Sequence, residues 1–260
     1  MARLYSLFSS SKGNATFLGT PEGGILVDCG VSAKRLKAAM DRCGLPMEAV
    51  QAIFITHDHS DHVSGLKVLT KQYKIPVYAQ PVTLQNLITY NYIADTDLLQ
   101  TLGDSASVCG MEVVPFETSH DTAQSCGYRV KMQDGSCCAI CTDLGIMTPS
   151  VQDALRGCKM VLLEANYDDA MMQNSYYPAS VKARIMSDHG HLSNVQCVAT
   201  AKFLIRNGTT KLLLGHLSQE NNTPQRAEQT VVSGLSEFVR GQDYLVDIAK
   251  PETDGEMTVF

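Results

Sequence analysis

The sequence predicts an α/β fold in one domain that spans residues 1–260. Short apolar segments rich in β-forming residues alternate with helical patterns along the whole chain, and no low-complexity segment or Pro/Gly-rich linker marks a boundary. A hydrophobic content of 44% allows 260 residues to bury a large core. Several apolar segments also run directly into Asp or His. Because α/β folds build their sites at the ends of buried strands, these polar residues indicate where the site lies.

The first half of the chain is expected to begin with strands, which helices then follow. Apolar segments bounded by turn residues predict strands at 3–8, 14–20, 24–29, 51–56 and 75–79. Ser32 and Gly44 are the start and stop signals of a helix with the sequence SAKRLKAAMDRC. Further helical patterns cover 64–74 and 82–90.

The second half repeats this arrangement. Strands are predicted at 111–116, 127–132, 137–142, 159–165 and 211–215, and helices at 168–174, 193–206 and 224–240. The two halves also share short motifs. ILVDCG and CAICTDLG each run a buried strand into Asp and then Gly, while AIFITH and KLLLGH each run one into His. Two similar halves would place these polar side chains at matching strand ends.

The charge balance argues against a protein that binds nucleic acid through its bulk charge. The net charge is -6 and the sequence pI is near 5.6. A local basic track is compatible with this balance, and Lys182 with Arg184 is a candidate for one. A solvated helix face explains these two residues equally well.

The start of the chain and the cysteines indicate a reducing compartment. Ser9 to Gly13 interrupts the first apolar stretch before it reaches the length of a signal peptide, so we expect a cytoplasmic protein without a membrane segment. The nine cysteines are odd in number, and several lie in strand-like segments, which predicts free thiols. Cys138 and Cys141 form a CxxC motif, but no second pair follows at zinc-ribbon spacing, so a structural role is favoured.

The stretch ITHDHSDH, residues 55–62, predicts a metal site. His57 and His59 can point the same way from the turn after strand 51–56, while Asp61 and His62 face an adjacent point. That geometry suits two ions, and imidazole with carboxylate favours zinc, manganese or iron over calcium. These four residues cannot complete the coordination of two ions, so other ligands must come from distant positions in the sequence. The candidates follow apolar strands, and they are His120, Asp143 and His216.

These motifs, in this order, resemble the metallo-β-lactamase fold superfamily. The resemblance implies a four-layer αββα sandwich, in which two sheets lie face to face with helices outside. It also implies that the ligand set divides between two ions. By that likeness, His57, His59 and His120 hold one ion, Asp61, His62 and His216 hold the other, Asp143 bridges them, and Asp28 lies behind the cluster and orients its ligands.

Two further stretches resemble RNase Z and its phosphodiesterase relatives. HGHLSN and LLEANYD imply that His191 assists proton transfer, with Glu164 as its partner. With SSSKGNAT and ITHDHSDH they cover nearly the whole chain in the order of the YycJ (WalJ) group, small bacterial proteins regarded as DNA exonucleases. This chain departs from the group at Tyr167, where His is frequent. Tyr can donate a hydrogen bond there but cannot exchange a proton near neutral pH.

The resemblance implies a DNA exonuclease that uses two divalent ions, zinc or manganese or iron. A hydroxide held between the ions would attack phosphorus, with Asp61 as a catalytic ligand. His191, held by Glu164, would protonate the leaving oxygen or bind a non-bridging one. Substrate contacts are expected from Lys182, Arg184, Ser10 and Asn14. His189 is expected to be a surface residue, and Asp58 to face solvent or to hydrogen-bond the ligand loop.

Three alternative functions remain compatible with the sequence. A small-molecule or cyclic phosphodiesterase would keep the pair of His191 and Glu164 but act on smaller substrates. A thioesterase or lactonase of glyoxalase type would not need that pair. A non-catalytic metal-binding module would not need the full ligand set. DNA as the nucleic acid partner rests on likeness alone, and the sequence leaves the oligomeric state open.

Overall fold

A computed structural model describes residues 3–260. Two seven-stranded mixed sheets pack face to face, and helices cover both outer faces. The predicted four-layer αββα sandwich is confirmed. The strands are β1 (Arg3–Ser10), β2 (Gly13–Thr20), β3 (Gly23–Val27), β4 (Val50–Phe54), β5 (Val77–Ala79), β6 (Leu99–Thr101), β7 (Ala106–Val108), β8 (Met111–Glu117), β9 (Cys126–Lys131), β10 (Cys137–Cys141), β11 (Met160–Glu164), β12 (Lys211–Gly215), β13 (Leu245–Ile248) and β14 (Thr258–Val259).

Helices alternate with these strands in both halves. They are α1 (Ala33–Arg42), α2 (Ser60–Val63), α3 (Leu66–Tyr73), α4 (Pro81–Thr89), α5 (Pro149–Leu155), α6 (Asp169–Gln173), α7 (Ala179–Ile185), α8 (Asn194–Arg206) and α9 (Pro224–Gly234). The strand order is β14-β1-β2-β3-β4-β5-β6 in the first sheet and β13-β12-β11-β10-β9-β8-β7 in the second. In each sheet antiparallel strands lie on one side and parallel strands on the other.

Three apolar layers hold the sandwich together. The strands alternate their side chains between the two faces of a sheet, so each sheet contributes to two layers. Leu26 and Ile53 of the first sheet pack against α1 and α3, whereas Ile25 of the same sheet faces the other sheet. Between the sheets the ring of Phe54 meets the edge of Tyr128, with ring centroids 5.7 Å apart. The Tyr128 hydroxyl also donates to the Ile55 carbonyl at 2.5 Å, next to the predicted metal loop.

The strand predictions hold for the interior of both sheets and fail at their edges. Each strand predicted from the sequence overlaps an observed one, and together these are β1 to β5 and β8 to β12. The strands that the sequence did not reveal are β6, β7, β13 and β14, the outermost strands. They are short, and edge strands lack the burial on two faces that produces a continuous apolar segment.

Two helix predictions need correction. The helix predicted at 64–74 is α3, which begins later, at Leu66, directly after Gly65, where an added Cβ would be 2.0 Å from the Val31 carbonyl oxygen. The helix predicted at 224–240 ends at Gly234, where α9 packs against Val198 of α8. The helices α2, α5 and α7 were not predicted.

The CxxC motif has a structural role, as expected. Cys138 faces the apolar layer between the sheets, and Cys141 faces the layer under the outer helices. Residues three apart on a strand point to opposite faces, so the two thiols cannot meet. Among residues 3–260 every cysteine is a free thiol, and no helix combines the length and apolar content needed to cross a membrane.

Candidate metal centre

The predicted ligands come together where strands of both sheets end. The loop after β4 and the short helix α2 carry His57, His59, Asp61 and His62. In the second sheet one ligand follows each of three strands, and these are His120 after β8, Asp143 after β10 and His216 after β12. Because these strands run in the same direction, their carboxyl ends lie at one edge of the sandwich.

Three residues at the centre have backbones in the left-handed region. Asp28, Asp143 and His216 have φ angles of 59°, 57° and 54°. Each follows directly after a strand or one residue beyond it, so the turn aims its side chain across the sheet edge. A residue other than glycine in this conformation costs of order 1 kcal/mol, and such strain concentrates at functional sites. The motifs shared by the two halves therefore place Asp28 and Asp143 in the same local conformation.

The ligand atoms are spaced as a metal ion requires. Nε2 of His120 is 3.3 Å from Nδ1 of His59. Nε2 of His62 is 3.4 Å from Asp61 Oδ2 and 3.4 Å from Asp143 Oδ2. Nε2 of His216 is 3.6 Å from Asp61 Oδ2 and 3.5 Å from Asp143 Oδ1. Two ligand atoms that each lie about 2.1 Å from one ion are about 3.0–3.4 Å apart, so these spacings fit shared coordination.

Buried polar atoms at the centre have no other partner. Nε2 of His57, Oδ2 of Asp143 and Nε2 of His216 make no hydrogen bond within residues 3–260. A buried polar atom without a partner is costly, and bound cations would satisfy all three atoms. Four groups of ligand atoms lie close enough to share an ion. Three of them are His57 with His59 and His120, Asp61 with His62 and His216, and His57 with His62 and Asp143. The fourth combines Asp143 and His216 with the pair of Glu164 and His191. The donor set fits divalent metal ions.

Outer partners fix the proton positions of the histidines. Nδ1 of His62 is 2.8 Å from Asp28 Oδ2, and Nδ1 of His120 is 3.1 Å from the Gly190 carbonyl. These oxygens only accept, so each Nδ1 carries the proton and each Nε2 is free to face an ion. Asp28 also accepts from the backbone and hydroxyl of Thr56, both at 2.9 Å. The structure thus places Asp28 behind the cluster, as the resemblance implied.

Glu164 joins two histidines on the second-sheet side. Its Oε1 lies 2.8 Å from Nδ1 of His191 and 2.7 Å from Nδ1 of His216. Its Oε2 accepts from the backbone amides of Leu144 and Leu192. Burial opposes the charge on Glu164, but His191 and His216 hold its pKa well below its usual range. An ionised, immobile Glu164 therefore orients His191, whose ring lies 5.0 Å from that of His120.

Charge around the centre is balanced between carboxylates and imidazoles. Burial disfavours ionisation of Asp61 and Asp143, yet neighbouring histidines keep the pKa of both carboxyls below the usual value. Burial lowers the pKa of His57 and of His120, so these rings are neutral, the form that binds metals.

Residues 24–217 match the family described as "Beta-lactamase superfamily domain", which covers most of the chain and both halves of the ligand set. The chain belongs to this superfamily.

Relatives in the superfamily match the chain over nearly its full length. Exodeoxyribonuclease YycJ of Bacillus anthracis is 34% identical over 234 residues, which is 89% of this chain and 88% of the relative. Exodeoxyribonuclease WalJ of Streptococcus pneumoniae serotype 2 is 32% identical over 261 residues, 98% of this chain and 97% of the relative. The crystal structure of the metallo-beta-lactamase fold protein YhfI from Bacillus subtilis has a TM-score of 0.73 at 14% identity and covers 99% of this chain and 98% of its own. The resemblance to the YycJ (WalJ) group is confirmed.

Two of the expected substrate contacts, Asn14 and Ser10, lie on or beside the turn between β1 and β2. Nδ2 of Asn14 is 3.3 Å from Asp61 Oδ2 and 3.1 Å from His62 Nε2. Ser10 is buried and its hydroxyl accepts from the Lys12 amide, so it belongs to the turn between β1 and β2. Asn14 therefore lies at the centre, while the hydroxyl of Ser10 is used within the turn.

The basic candidates lie on α7, beside the centre. Arg184 forms an ion pair with Asp121, the residue after His120. Lys182 is partly exposed, and its Nζ donates to the Gln173 carbonyl at 2.7 Å. The end of α7 contacts the site directly, since the amide of His191 donates to the Ile185 carbonyl at 2.9 Å.

Three positioning residues were not predicted. The Ser9 hydroxyl accepts from the amide of His216 at 2.8 Å, and Asn166 Nδ2 donates to the carbonyl of His216 at 2.8 Å. The Thr56 hydroxyl lies 3.0 Å from Nδ1 of His57 and donates to Asp28. Each lies in a stretch that carries the resemblance, Ser9 in SSSKGNAT, Thr56 in ITHDHSDH and Asn166 in LLEANYD, but the sequence assigned none of them a role.

Two minor expectations can be compared with the site. His189 is exposed, and its Nδ1 lies 3.0 Å from the Ser119 hydroxyl, away from the ligand atoms. Asp58 hydrogen-bonds Asn86 at 2.8 Å and Thr122 at 2.7 Å, which fastens the ligand loop to its surroundings. Both residues lie as expected.

Proposed function

We propose that this protein is a phosphodiesterase that uses two metal ions and degrades DNA as an exonuclease, and that residues 1–260 form one cytoplasmic domain. The proposal rests on the centre together with relatives that are named exodeoxyribonucleases and match almost end to end. The observation that carries it is the pair of His191 and Glu164, which lies beside the metal ligands without being needed to hold two ions.

The ligand set divides between two ions in the proposed centre, and each ion would take ligands from both sheets. One ion would be held by His57, His59 and His120, which lie within reach of one another. The other would be held by Asp61, His62 and His216. Asp143 faces both groups, because its two oxygens approach different histidines, and this supports a bridging role. Nitrogen with carboxylate ligands suits zinc, manganese or iron.

Divalent ions, when bound, would lower the pKa of water to about 7 and stabilise negative charge on a phosphate group. The residues of the chain orient the ions and the substrate. Asp61 carries one oxygen between His62 and His216, so it ties the ligand loop to the second sheet. Asn14 stands beside it with an amide that can donate to a substrate oxygen.

His191 is positioned to move a proton. Its Nδ1 is held by Glu164, which leaves Nε2 for the substrate, and part of its side chain is exposed at 17%. A histidine held in this way can protonate a leaving oxygen or donate to a non-bridging phosphate oxygen. A thioester has a leaving group that needs no such donor, so the pair favours phosphodiester cleavage.

DNA is proposed to follow the side of the centre on which α7 lies. No residue of α7 is buried, and its end contacts the centre through Ile185 and His191. Lys182 and Arg184 lie on this helix and would contact phosphates. If so, Lys182→Ala should weaken DNA binding by about the same factor for every DNA sequence. The slope of the logarithm of the binding constant against the logarithm of the salt concentration should fall by about 1, as expected for the loss of one phosphate contact.

One panel of substrates tests the proposal. The protein, stripped of metal and reloaded with Mn²⁺ or Zn²⁺, is assayed on labelled single- and double-stranded DNA, RNA, bis(p-nitrophenyl) phosphate and a thioester. We expect stepwise release of nucleotides from DNA ends, and no turnover by Asp143→Ala. Turnover of the small diester without DNA would favour a small-molecule phosphodiesterase, and turnover of the thioester alone would refute phosphodiester cleavage.

A further inference from the structure

The turn between β1 and β2 borders the metal centre and carries an exposed lysine that has no place in the proposed function. On one side of the turn the Ser9 hydroxyl accepts from the amide of His216 at 2.8 Å. On the other side Nδ2 of Asn14 is 3.3 Å from Asp61 Oδ2. Lys12 lies between these two contacts, and its side chain is 61% exposed. The turn therefore holds Lys12 at the rim of the centre, next to the ligands proposed for one of the two ions.

Lys12 forms a weak ion pair with Glu220, which lies in the loop after β12, four residues beyond His216. Nζ of Lys12 is 3.4 Å from Glu220 Oε1, which is longer than the about 2.7–2.9 Å of a well-formed ionic hydrogen bond. The Glu220 side chain is 58% exposed. Because both groups are already solvated, an exposed pair of this kind contributes little to stability. Each side chain is therefore able to change its partner at little cost.

The backbone is held in place at both ends of this ion pair. Nδ2 of Asn14 donates to the Ser10 carbonyl at 3.0 Å and closes the turn between β1 and β2. In the loop after β12 the amide of Glu220 donates to the Ser218 hydroxyl at 3.3 Å. Two exposed side chains on fixed backbones suit a contact that forms when a ligand arrives.

Lys12 is the only lysine or arginine in the three segments that surround it at the centre. These segments are the β1–β2 turn, α2 and the start of the loop after β12, residues 9–14, 60–63 and 216–222. A nucleic acid carries a negative charge at every phosphate. Bound ions would neutralise one phosphate, whereas a second phosphate on this side would meet the carboxylate of Glu220 and the ammonium group of Lys12. Only the ammonium group attracts it.

We propose that Lys12 binds the phosphate next to the one that the metal ions would hold, and that Glu220 occupies Lys12 while no substrate is bound. The incoming phosphate displaces the Glu220 carboxylate, which returns to solvent. Lys12 then positions substrates that have at least two phosphates. This inference rests on the phosphodiesterase of the proposed function, but it is tested by binding and needs no cleavage.

The test is the binding of small nucleotides to the metal-loaded full chain, measured by calorimetry. Thymidine 3′,5′-bisphosphate carries two phosphates one nucleotide apart, whereas thymidine 3′-monophosphate and 5′-monophosphate carry one each. Lys12→Ala should weaken binding of the bisphosphate by about three- to tenfold and leave binding of the monophosphates within about twofold of the parent. Glu220→Gln should strengthen binding of the bisphosphate, because it removes the group that competes for Lys12.

Lys131 and Glu112 provide the matched control. They form an exposed ion pair of the same residue types, with 3.0 Å between Nζ and Oε2. Lys131 is the last residue of β9, whereas the first residue, Cys126, donates its amide to the Thr56 carbonyl beside the metal loop. Lys131→Ala and Glu112→Gln therefore make the same changes of charge far from the centre. Both variants should bind all three nucleotides as the parent does.

The double variant Lys12→Ala/Glu220→Gln separates competition from simple repulsion. If Glu220 acts by occupying Lys12, its replacement should have little effect once Lys12 is absent. If the double variant shows the full gain of Glu220→Gln, then Glu220 repels the phosphate directly, and the proposed exchange of partners is wrong.

Parental binding of the bisphosphate by Lys12→Ala, or an equal loss in Lys131→Ala, would overturn the proposal. A similar loss for the monophosphates would also overturn it, because it would indicate a damaged metal centre. Bound metal, counted on each variant, should equal that of the parent. A protein that binds the bisphosphate as expected but cleaves no DNA would contradict the proposed function and leave this inference intact. DNA cleavage by the parent with unchanged bisphosphate binding in Lys12→Ala would do the reverse.

Discussion

At the scale of single residues, the sequence predicted the candidate ligands that the fold brings together, and the resemblance implied Asp28 and Glu164 behind them, but other residues that hold the cluster in place were missed. His57, His59, Asp61 and His62 form a dense cluster of residue types that bind metals, so their pattern is informative on its own. The remote ligands were found because each follows an apolar strand. Ser9 and Asn166, which fix the backbone of His216, are common residue types, and their role depends on contacts between positions far apart in the chain. Both lie in stretches that carry the resemblance, SSSKGNAT and LLEANYD, but those stretches do not reveal the contact with His216.

Replacing His191 should separate proton transfer from metal binding. His191→Ala should lower the rate of phosphodiester cleavage by about 10²–10⁴-fold, because a general acid contributes about that much. The metal content, counted on the purified protein, should match that of the parent. His189→Ala is a close control, because His189 is exposed and contacts Ser119 instead of Glu164. Loss of metal in His191→Ala, or an equal loss of rate in His189→Ala, would contradict the assignment.

Metal binding should release protons, so the affinity should rise with pH. Burial lowers the pKa of His216, but Asp143, Asp61 and Glu164 outweigh burial and raise it to about 10. The metal-free ring is then charged at neutral pH, and an ion must displace its proton. Each released proton makes the affinity about tenfold higher per pH unit below that pKa. Calorimetry at pH 6, 7 and 8, in buffers with different ionisation heats, would measure the release. Affinity that is constant over this range would refute it.

The same raised pKa has a consequence for the metal-free fold. The proton on His216 is held more tightly in the folded chain than in the unfolded chain, where the pKa is near 6.5. Its stabilising contribution is therefore fully present below pH 6.5 and is lost as the pH rises toward about 10.

At the scale of elements, the interior of each sheet was predictable and the edges were not. The segment KMVLLEA became β11, which is buried along its whole length between two parallel neighbours. By contrast, β6 with the sequence LQT is mostly exposed and only three residues long. A continuous apolar segment indicates a buried strand, and the strands at the edges of a sheet are the least buried. The helix α7 has no buried residue for the same reason and was also missed.

The glycines of the shared Asp-x-Gly motif should be essential for the metal loop. A Cβ on Gly30 would lie 1.5 Å from the Asp61 carbonyl oxygen, and one on Gly145 would lie 2.3 Å from the backbone of Asp188. Gly30→Ala or Gly145→Ala must shift these backbones, so we expect each to lower the free energy of unfolding by about 1–3 kcal/mol or more. Gly30→Ala should also weaken metal binding, because it displaces Asp61. Both effects are measured by thermal unfolding and metal titration.

The control for these substitutions is Gly103→Ala. Gly103 has open space around its Cβ position and no positive φ, so alanine should be neutral or slightly stabilising. A Gly30→Ala variant as stable as Gly103→Ala would show that the backbones do not pack as closely as the structure places them.

At the scale of the whole molecule, the candidate metal centre lies where the two sheets meet. One part of the ligand set follows β4 of the first sheet, and the rest follows β8, β10 and β12 of the second. The apolar layer between the sheets already holds them together. The candidate centre adds a polar connection at one edge, where buried nitrogen and oxygen atoms of both sheets, some without a hydrogen-bond partner within residues 3–260, face each other and bound ions would join them. The net charge of -6 for the whole chain does not reveal this local arrangement of polar atoms.

Metal removal should therefore destabilise the whole fold and not only the site. Ions present at 100 times their dissociation constant stabilise a protein by about 2.7 kcal/mol per site. Chelation removes this stabilisation, and for a chain of this size Tm should then fall by about 5–11 °C. The chain has no Trp, so unfolding is best followed by circular dichroism. Asp143→Ala should respond much less to the chelator, because it lacks the carboxylate that faces both groups of histidines. Hydrogen exchange should increase first at the strand ends that carry His120 and His216, and last in the helices of the outer layers. A Tm that does not change with the chelator would mean that the apolar layers alone set the stability and that the ions do not connect the sheets.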